Sequence, residues 1–98
     1  MRPLTVKHIR ANSEPHPTAK MRDGDARVYR EHIGDYVLSI VGGGVGLYGD
    51  FVNDFEVALI DEKTGKFVTG AYSKRGDDIL PYATIDEINE IYYNIPRK

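Results

Sequence analysis

The chain has no cysteine and no tryptophan among its 98 residues. The missing cysteine excludes disulfides, thiolate zinc sites and cysteine nucleophiles together. No apolar run approaches the roughly 18 residues that span a bilayer. The opening MRPLTVKHIR carries charge but lacks the apolar core of a secretory signal, so a cytoplasmic protein is expected. Neither sign of charge dominates, since 13 Lys/Arg stand against 15 Asp/Glu for a net −2. That balance is far from the basic stripe of a dedicated nucleic-acid binder. What is present, 41% hydrophobic and 29% charged residues, is ordinary for one globular domain with a modest core.

The small net charge hides an asymmetry. Residues 1–34 carry seven basic residues against four acids, whereas residues 35–98 carry six against eleven. The basic third, through Lys20, Arg22, Arg27 and Arg30, is the place where an anionic nucleic acid would bind. The structural reading of the same residues is attraction between two parts of one domain, and no nucleic-acid partner is expected.

Local pattern divides the chain into elements. Leu4, Val6 and Ile9 in LTVKHIRA read as a strand over Leu4–Ala11, followed by an irregular loop over Asn12–Asp25 with two prolines. ARVYREHIGDYVLSIV reads as a hairpin turning on Gly34-Asp35. A helix with an Arg27–Glu31 pair and Gly34 as its stop is the competing reading. DFEVALID alternates Phe55, Val57 and Leu59 with Glu56, Ala58 and Ile60, giving a strand with one face in the core and the other partly covered. Glu62–Gly65 is a turn, and KFVTGAY reads as the returning strand, with Gly70 marking a bulge or a close approach.

The last element is the clearest. Thr84 and Glu87 have capping-box spacing, Ile88, Ile91, Tyr92 and Ile95 fill one helical stripe, and Pro96 stops the helix. The expected fold is α+β: one domain over 1–98, an antiparallel sheet of about four to five strands, and a single C-terminal amphipathic helix on one face. Residues 1–25 form an N-terminal strand with an irregular loop, and 26–98 form the core.

The segment GGGVGLYGD raises the question of phosphate binding. Gly44-Val45-Gly46-Leu47-Tyr48-Gly49 literally spells G-x-G-x-x-G. A dinucleotide fingerprint must open a helix, and a Walker loop needs a Lys-Ser/Thr pair. Here a strand follows, no lysine or arginine is present, and Asp50 and Asp54 would repel a phosphate. The segment is expected to be a long hairpin loop that uses glycine for positive φ. No cofactor is expected. Asp50 with Asp54, or Asp77 with Asp78, could hold a hard cation, but neither pair has the spacing of a known cation loop. His8, His16 and His32 lack metal-motif spacing, so no metal site is assigned, although His8 and His32 could face each other across strands. No serine lies in a nucleophile elbow, so no catalytic residue is named. Arg75-Gly76-Asp77 spells an adhesion tripeptide, for which a turn glycine is sufficient explanation.

Seven tyrosines are many for this length. Tyrosine is amphipathic and enriched at interfaces. Tyr93 falls off the isoleucine stripe, and Tyr48 falls at the loop tip. The candidate contact residues are therefore Leu47, Tyr48, Gly49, Asp50 and Tyr93.

SIVGGGVGLYGD followed by FEVALID and a short capped helix resembles small uncharacterised proteins of bacteriophages, over about Tyr36 to Ile95. The resemblance implies an accessory protein acting inside an infected bacterium and transfers no catalytic residue. The expected function is a non-enzymatic binding or regulatory module with a protein partner, a homodimer among the expected assemblies. A small ligand- or metal-binding enzyme or sensor is the alternative, and weak nucleic-acid binding the third.

Overall fold

A computed structural model describes residues 2–15, 26–43 and 49–97. Helix α1 (Val6–Ala11) and strand β1 (Glu14–Pro15) are followed by β2 (Arg27–Ile33), β3 (Tyr36–Gly42), β4 (Phe55–Asp61), β5 (Leu80–Ala83) and helix α2 (Ile85–Asn94). The five strands form one antiparallel sheet in the order β1-β2-β3-β4-β5, each paired with its neighbour in sequence. This is the expected small α+β fold.

The hairpin forms as its turn chemistry dictates. Ile33 pairs with Tyr36, and Gly34 takes φ 58° at the first central position, as a type II′ turn requires. β3 and β4 pair from Tyr36–Asp61 to Val41–Glu56, so the glycine-rich segment does join two adjacent core strands. In α2 both halves of the capping box are made: Thr84 Oγ1 accepts from the Glu87 N–H, and Glu87 Oε1 accepts from the Thr84 N–H.

Three sequence expectations are corrected. Leu4–Ala11 is not a strand: Thr5 caps α1, its hydroxyl accepting from the His8 N–H, and a helix runs from Val6. This region is anchored to the core. Leu4 and Ile9 are buried in the core, and Leu4 exchanges both main-chain hydrogen bonds with the Asn89 side chain of α2. Within the expected loop Asn12–Asp25, Glu14 and Pro15 pair with Val28 and Arg27, while 16–25 lie outside the described residues.

The returning strand over Lys66–Tyr72 is also not formed. Only Phe67 bridges to Ile60, and the chain then enters a 3₁₀ turn over Thr69–Ala71. Buried Thr69 replaces the missing ladder partner, its hydroxyl accepting from the Leu59 N–H at 2.7 Å. Thr69→Val keeps the shape and orphans that buried donor. It is expected to cost about 2 kcal/mol in urea unfolding, with Thr69→Ser recovering most of the loss. The close approach expected at Gly70 is present, since a Cβ there would lie 2.6 Å from the Gly76 carbonyl oxygen.

Both helices lie on one face of the sheet. Ile9 of α1 and Ile88, Ile91 and Ile95 around α2 pack with Tyr29, Ile33, Leu38, Ile40, Phe55, Val57 and Leu59, the residues whose side chains share that face by register.

Candidate functional site

The described end of the glycine-rich connection, from Gly49 to Asp54, is held by local hydrogen bonds to two carboxylates. Past Gly49, the Asp50 carboxylate accepts the N–H groups of Val52 (2.8 Å), Asn53 (2.8 Å) and Asp54 (3.3 Å), and Asp54 Oδ1 accepts the Asp50 N–H at 3.0 Å. Those donors, led by the Asn53 and Val52 amides, pull the Asp50 carboxyl from the usual 3.8 down to about 2. The turn so formed carries buried Phe51 at φ 63°, packed edge-on against Phe55 at 5.2 Å. The Arg10 guanidinium donates to the Phe51 carbonyl. Asp50 and Asp54 are thus turned toward amides of their own loop.

A pH dependence follows. The folded pKa of Asp50 lies below its unfolded value, so its contribution is complete above that value and is lost as pH falls through about 4 toward about 2. Wild type is expected to melt above Asp50→Asn near pH 6, and the difference should shrink by about pH 2.5. A difference that does not change with pH would contradict the carboxylate's role.

The contact candidates are not brought together. Leu47 and Tyr48 lie outside the described residues. Gly49 and Asp50 sit at the end of the sheet where Phe55 pairs with Ala83, next to the N-terminus of α2. Tyr93 is exposed nine residues beyond the Thr84 cap, about 13 Å along the helix.

The basic residues also separate. Lys20 and Arg22 lie outside the described residues. Arg27 shares the helix-side face of β2 and donates from Nε and Nη2 to Ser13, holding β1 in place. Arg30 is exposed on the other face. The idea that His8 and His32 face each other is corrected: His8 is in α1 beside Tyr29, whereas His32 lies on the opposite side of the sheet, 3.2 Å from Glu62. His16 is outside the described residues. No group of three or more His, Asp or Glu that could hold a metal occurs among the described residues.

One polar cluster has no counterpart in the sequence reading. Glu31 accepts from the Tyr29 hydroxyl at 2.6 Å and the Tyr92 hydroxyl at 2.9 Å, tying β2 to α2. Burial, then the Glu31 carboxylate, pushes the Tyr29 and Tyr92 hydroxyls up in pKa, which keeps both as donors. Arg97 stacks over the Tyr92 ring at 4.6 Å. All four groups are accounted for by joining helix to sheet.

The opposite face of the sheet is different in kind. Register places Val28, Arg30 and His32 of β2, Val37, Ser39 and Val41 of β3, and Glu56, Ala58 and Ile60 of β4 on it. No described helix lies over these residues, yet Val28 and Val41 are buried, Val37, Ser39, Glu56, Ala58 and Ile60 are half-buried, and Arg30 and His32 are exposed. Phe67, paired with Ile60, is 47% exposed at one border, and Tyr82 is 58% exposed at the β5 border. Tyr82 also has φ 54°. It belongs to a β-bulge in which Pro81 and Tyr82 together oppose Glu56, between the Phe55–Ala83 and Val57–Leu80 pairs. Across the sheet, next to β1, Asn12, Glu14, Pro15, Val28 and Arg30 line an open cleft of about 380 Å³. The second apolar series in FEVALID was the available sequence signal for this face.

No protein-family model, curated protein or solved structure matches the chain. The reading of the site rests on its own geometry.

Proposed function

We propose that this chain is a small non-enzymatic binding or regulatory module that acts through protein–protein contacts, made by the sheet face its helices leave open. The observation that supports this is the one-sided sheet: both described helices pack on one face, while the exposed rings of Phe67 and Tyr82 border half-buried Val37, Ala58 and Ile60 on the other, where Val28 and Val41 are buried. An apolar face rimmed by charge is the composition of a contact surface. The resemblance to bacteriophage accessory proteins would place its action in the host cytoplasm.

The two competing functions have less support. A ligand or metal sensor built on Asp50 and Asp54 would have to displace the loop amides those carboxylates already accept. A nucleic-acid site would need one basic surface, and Arg27 and Arg30 lie on opposite faces of β2.

The experiment places a photo-crosslinking phenylalanine analogue at Phe67, and at exposed Asp86 of α2 as control, in the cell that naturally makes the protein. Protein adducts are expected at position 67 and not at 86. Absence of adducts at 67, or equal labelling at both positions, would overturn the reading.

A further inference from the structure

We infer that the edge of β2 beyond its short partner β1 is a docking site for an extended segment of another protein, added to the sheet as a further strand with a carboxylate opposite Arg30. This edge is a second surface, and its occupancy does not depend on the open face. Its basis is the direction in which the β2 backbone points. Ile33 and Tyr36 close a two-residue turn, so each offers its N–H and C=O to the other. Alternation along an antiparallel strand then turns Glu31, Tyr29 and Arg27 toward β3, and Val28, Arg30 and His32 away from it. The same phase recurs on β4, where the Leu59 N–H goes outward to the Thr69 hydroxyl and the Leu59 C=O accepts from Val68. On the outer side of β2, β1 pairs with Val28 and Arg27 and stops. Among the described residues no strand takes the N–H and C=O groups of Arg30 and His32, and both residues are exposed.

The opposite edge of the sheet is closed to such pairing. On β5, Pro81 has no N–H, its C=O accepts from Arg75 Nη2 at 2.7 Å, and the bulge breaks the line of the strand. β1 is two residues long and ends in Pro15. Neither proline nor bulge protects β2 from Arg30 to Ile33. Room for a strand is present as well, because the edge beside Arg30 opens into the cleft of about 380 Å³ that Asn12 and Glu14 border.

Charge at this edge selects its occupant. No hydrogen bond or ion pair reaches the Arg30 guanidinium among the described residues. Glu31, on the other face, already accepts from two tyrosine hydroxyls, and His32 lies against Glu62. A carboxylate on the residue opposite Arg30 shares its face at about 5.5 Å between Cα atoms, within reach of a paired guanidinium contact. A second copy of β2 meets the reverse. Its possible registers set Arg30 on Arg30, Arg30 on His32 with Glu31 on Glu31, or His32 on His32, and the first also drives the mate into Val28, which β1 holds. Like charges directly opposite destabilise a strand pair. The next residue of an added strand falls on the helix side, opposite Glu31 and between buried Tyr29 and Ile33, where valine fits the pleat.

Amide exchange and chemical shifts of the isotope-labelled full chain test the inference, with the capped peptide Thr-Val-Glu-Val-Thr-Val as probe. Two edge residues offer little backbone, so an affinity of about millimolar is expected. In the free protein the Arg30 and His32 amides should exchange at least about a hundredfold faster than those of Glu31 and Ile33. The peptide should shift both amides and, near saturation, slow their exchange about tenfold. Lysine in place of the peptide's glutamate should weaken binding at least about threefold, and Arg30→Glu should invert that preference. Methylating the peptide nitrogens of Glu and Thr should abolish binding, whereas methylating those of Val should leave it, a difference that charge attraction alone would not produce. Slow exchange at Arg30 and His32 in the free chain, which means an edge already covered, overturns the inference. A peptide that shifts neither amide, binds equally with Glu and Lys, or responds alike to both methylations overturns it too. Adducts at Phe67 report on the open face separately.

Discussion

Gly49→Ala is expected to cost about 3–4 kcal/mol of folding stability, several times the effect of the same change at Gly65. A Cβ on Gly49 would lie 2.7 Å from Phe55 Cα, 2.8 Å from the Asp54 oxygen and 2.9 Å from the Phe55 carbonyl carbon. All three are backbone atoms, so no side-chain rotation relieves the contact, and overpacking of this kind costs about 1–3 kcal/mol. The φ of 152° adds to it, being ground that side-chain-bearing residues rarely occupy. Gly65 isolates the second contribution: its φ is 73° and a Cβ there meets nothing within 4 Å, so alanine should cost about 1 kcal/mol. Urea unfolding followed by far-UV circular dichroism measures both, with the slope expected to stay near wild type. Similar losses at the two sites would contradict the view that the chain passes Gly49 in backbone-to-backbone contact. The result bears on function because it explains the last glycine of G-x-G-x-x-G by packing, with no phosphate needed.

The sequence made the local features legible and hid the non-local ones. The hairpin follows from Gly34-Asp35 between two β-branched runs, and α2 follows from Thr84, Glu87 and the isoleucine stripe, because each signal lies within one turn or one strand. β4 was readable from its alternation, including the apolar second face formed by Ala58 and Ile60. α1 was misread because six residues with Val6 and Ile9 suit a short strand, and the deciding contribution, the Thr5 cap, is one hydroxyl. β5 was hidden by Pro81, which argues against a strand, and by the bulge at Pro81 and Tyr82, which no residue pattern marks.

Thr69 was unreadable for a related reason, since its hydroxyl substitutes for a strand ten residues away. The candidate site depends on register across several strands, and no stretch of sequence specifies which residues of β2, β3 and β4 come to lie side by side. Loop chemistry was half legible. The acids at Asp50 and Asp54 argued against phosphate from sequence alone, while their use as acceptors for the loop's own amides required coordinates.

The division of the sheet into a core face and a contact face is the central claim, and two adjacent residues of β4 test it. Leu59 is fully buried against the helices, and Ile60 points to the opposite side. Lysine at Leu59 would place an unpaired charge in the core and is expected to cost more than about 4 kcal/mol, enough to prevent folding of a domain this size. Lysine at Ile60 can run its stem along Val37 and Phe67 and keep its ammonium in water. The decisive measurement is the urea midpoint of Ile60→Lys at a few micromolar protein, beside Leu59→Lys. The account predicts a folded Ile60→Lys within about 1 kcal/mol of wild type and an unfolded Leu59→Lys. An Ile60→Lys variant as unstable as Leu59→Lys would make the second face part of the chain's own core and contradict the contact surface.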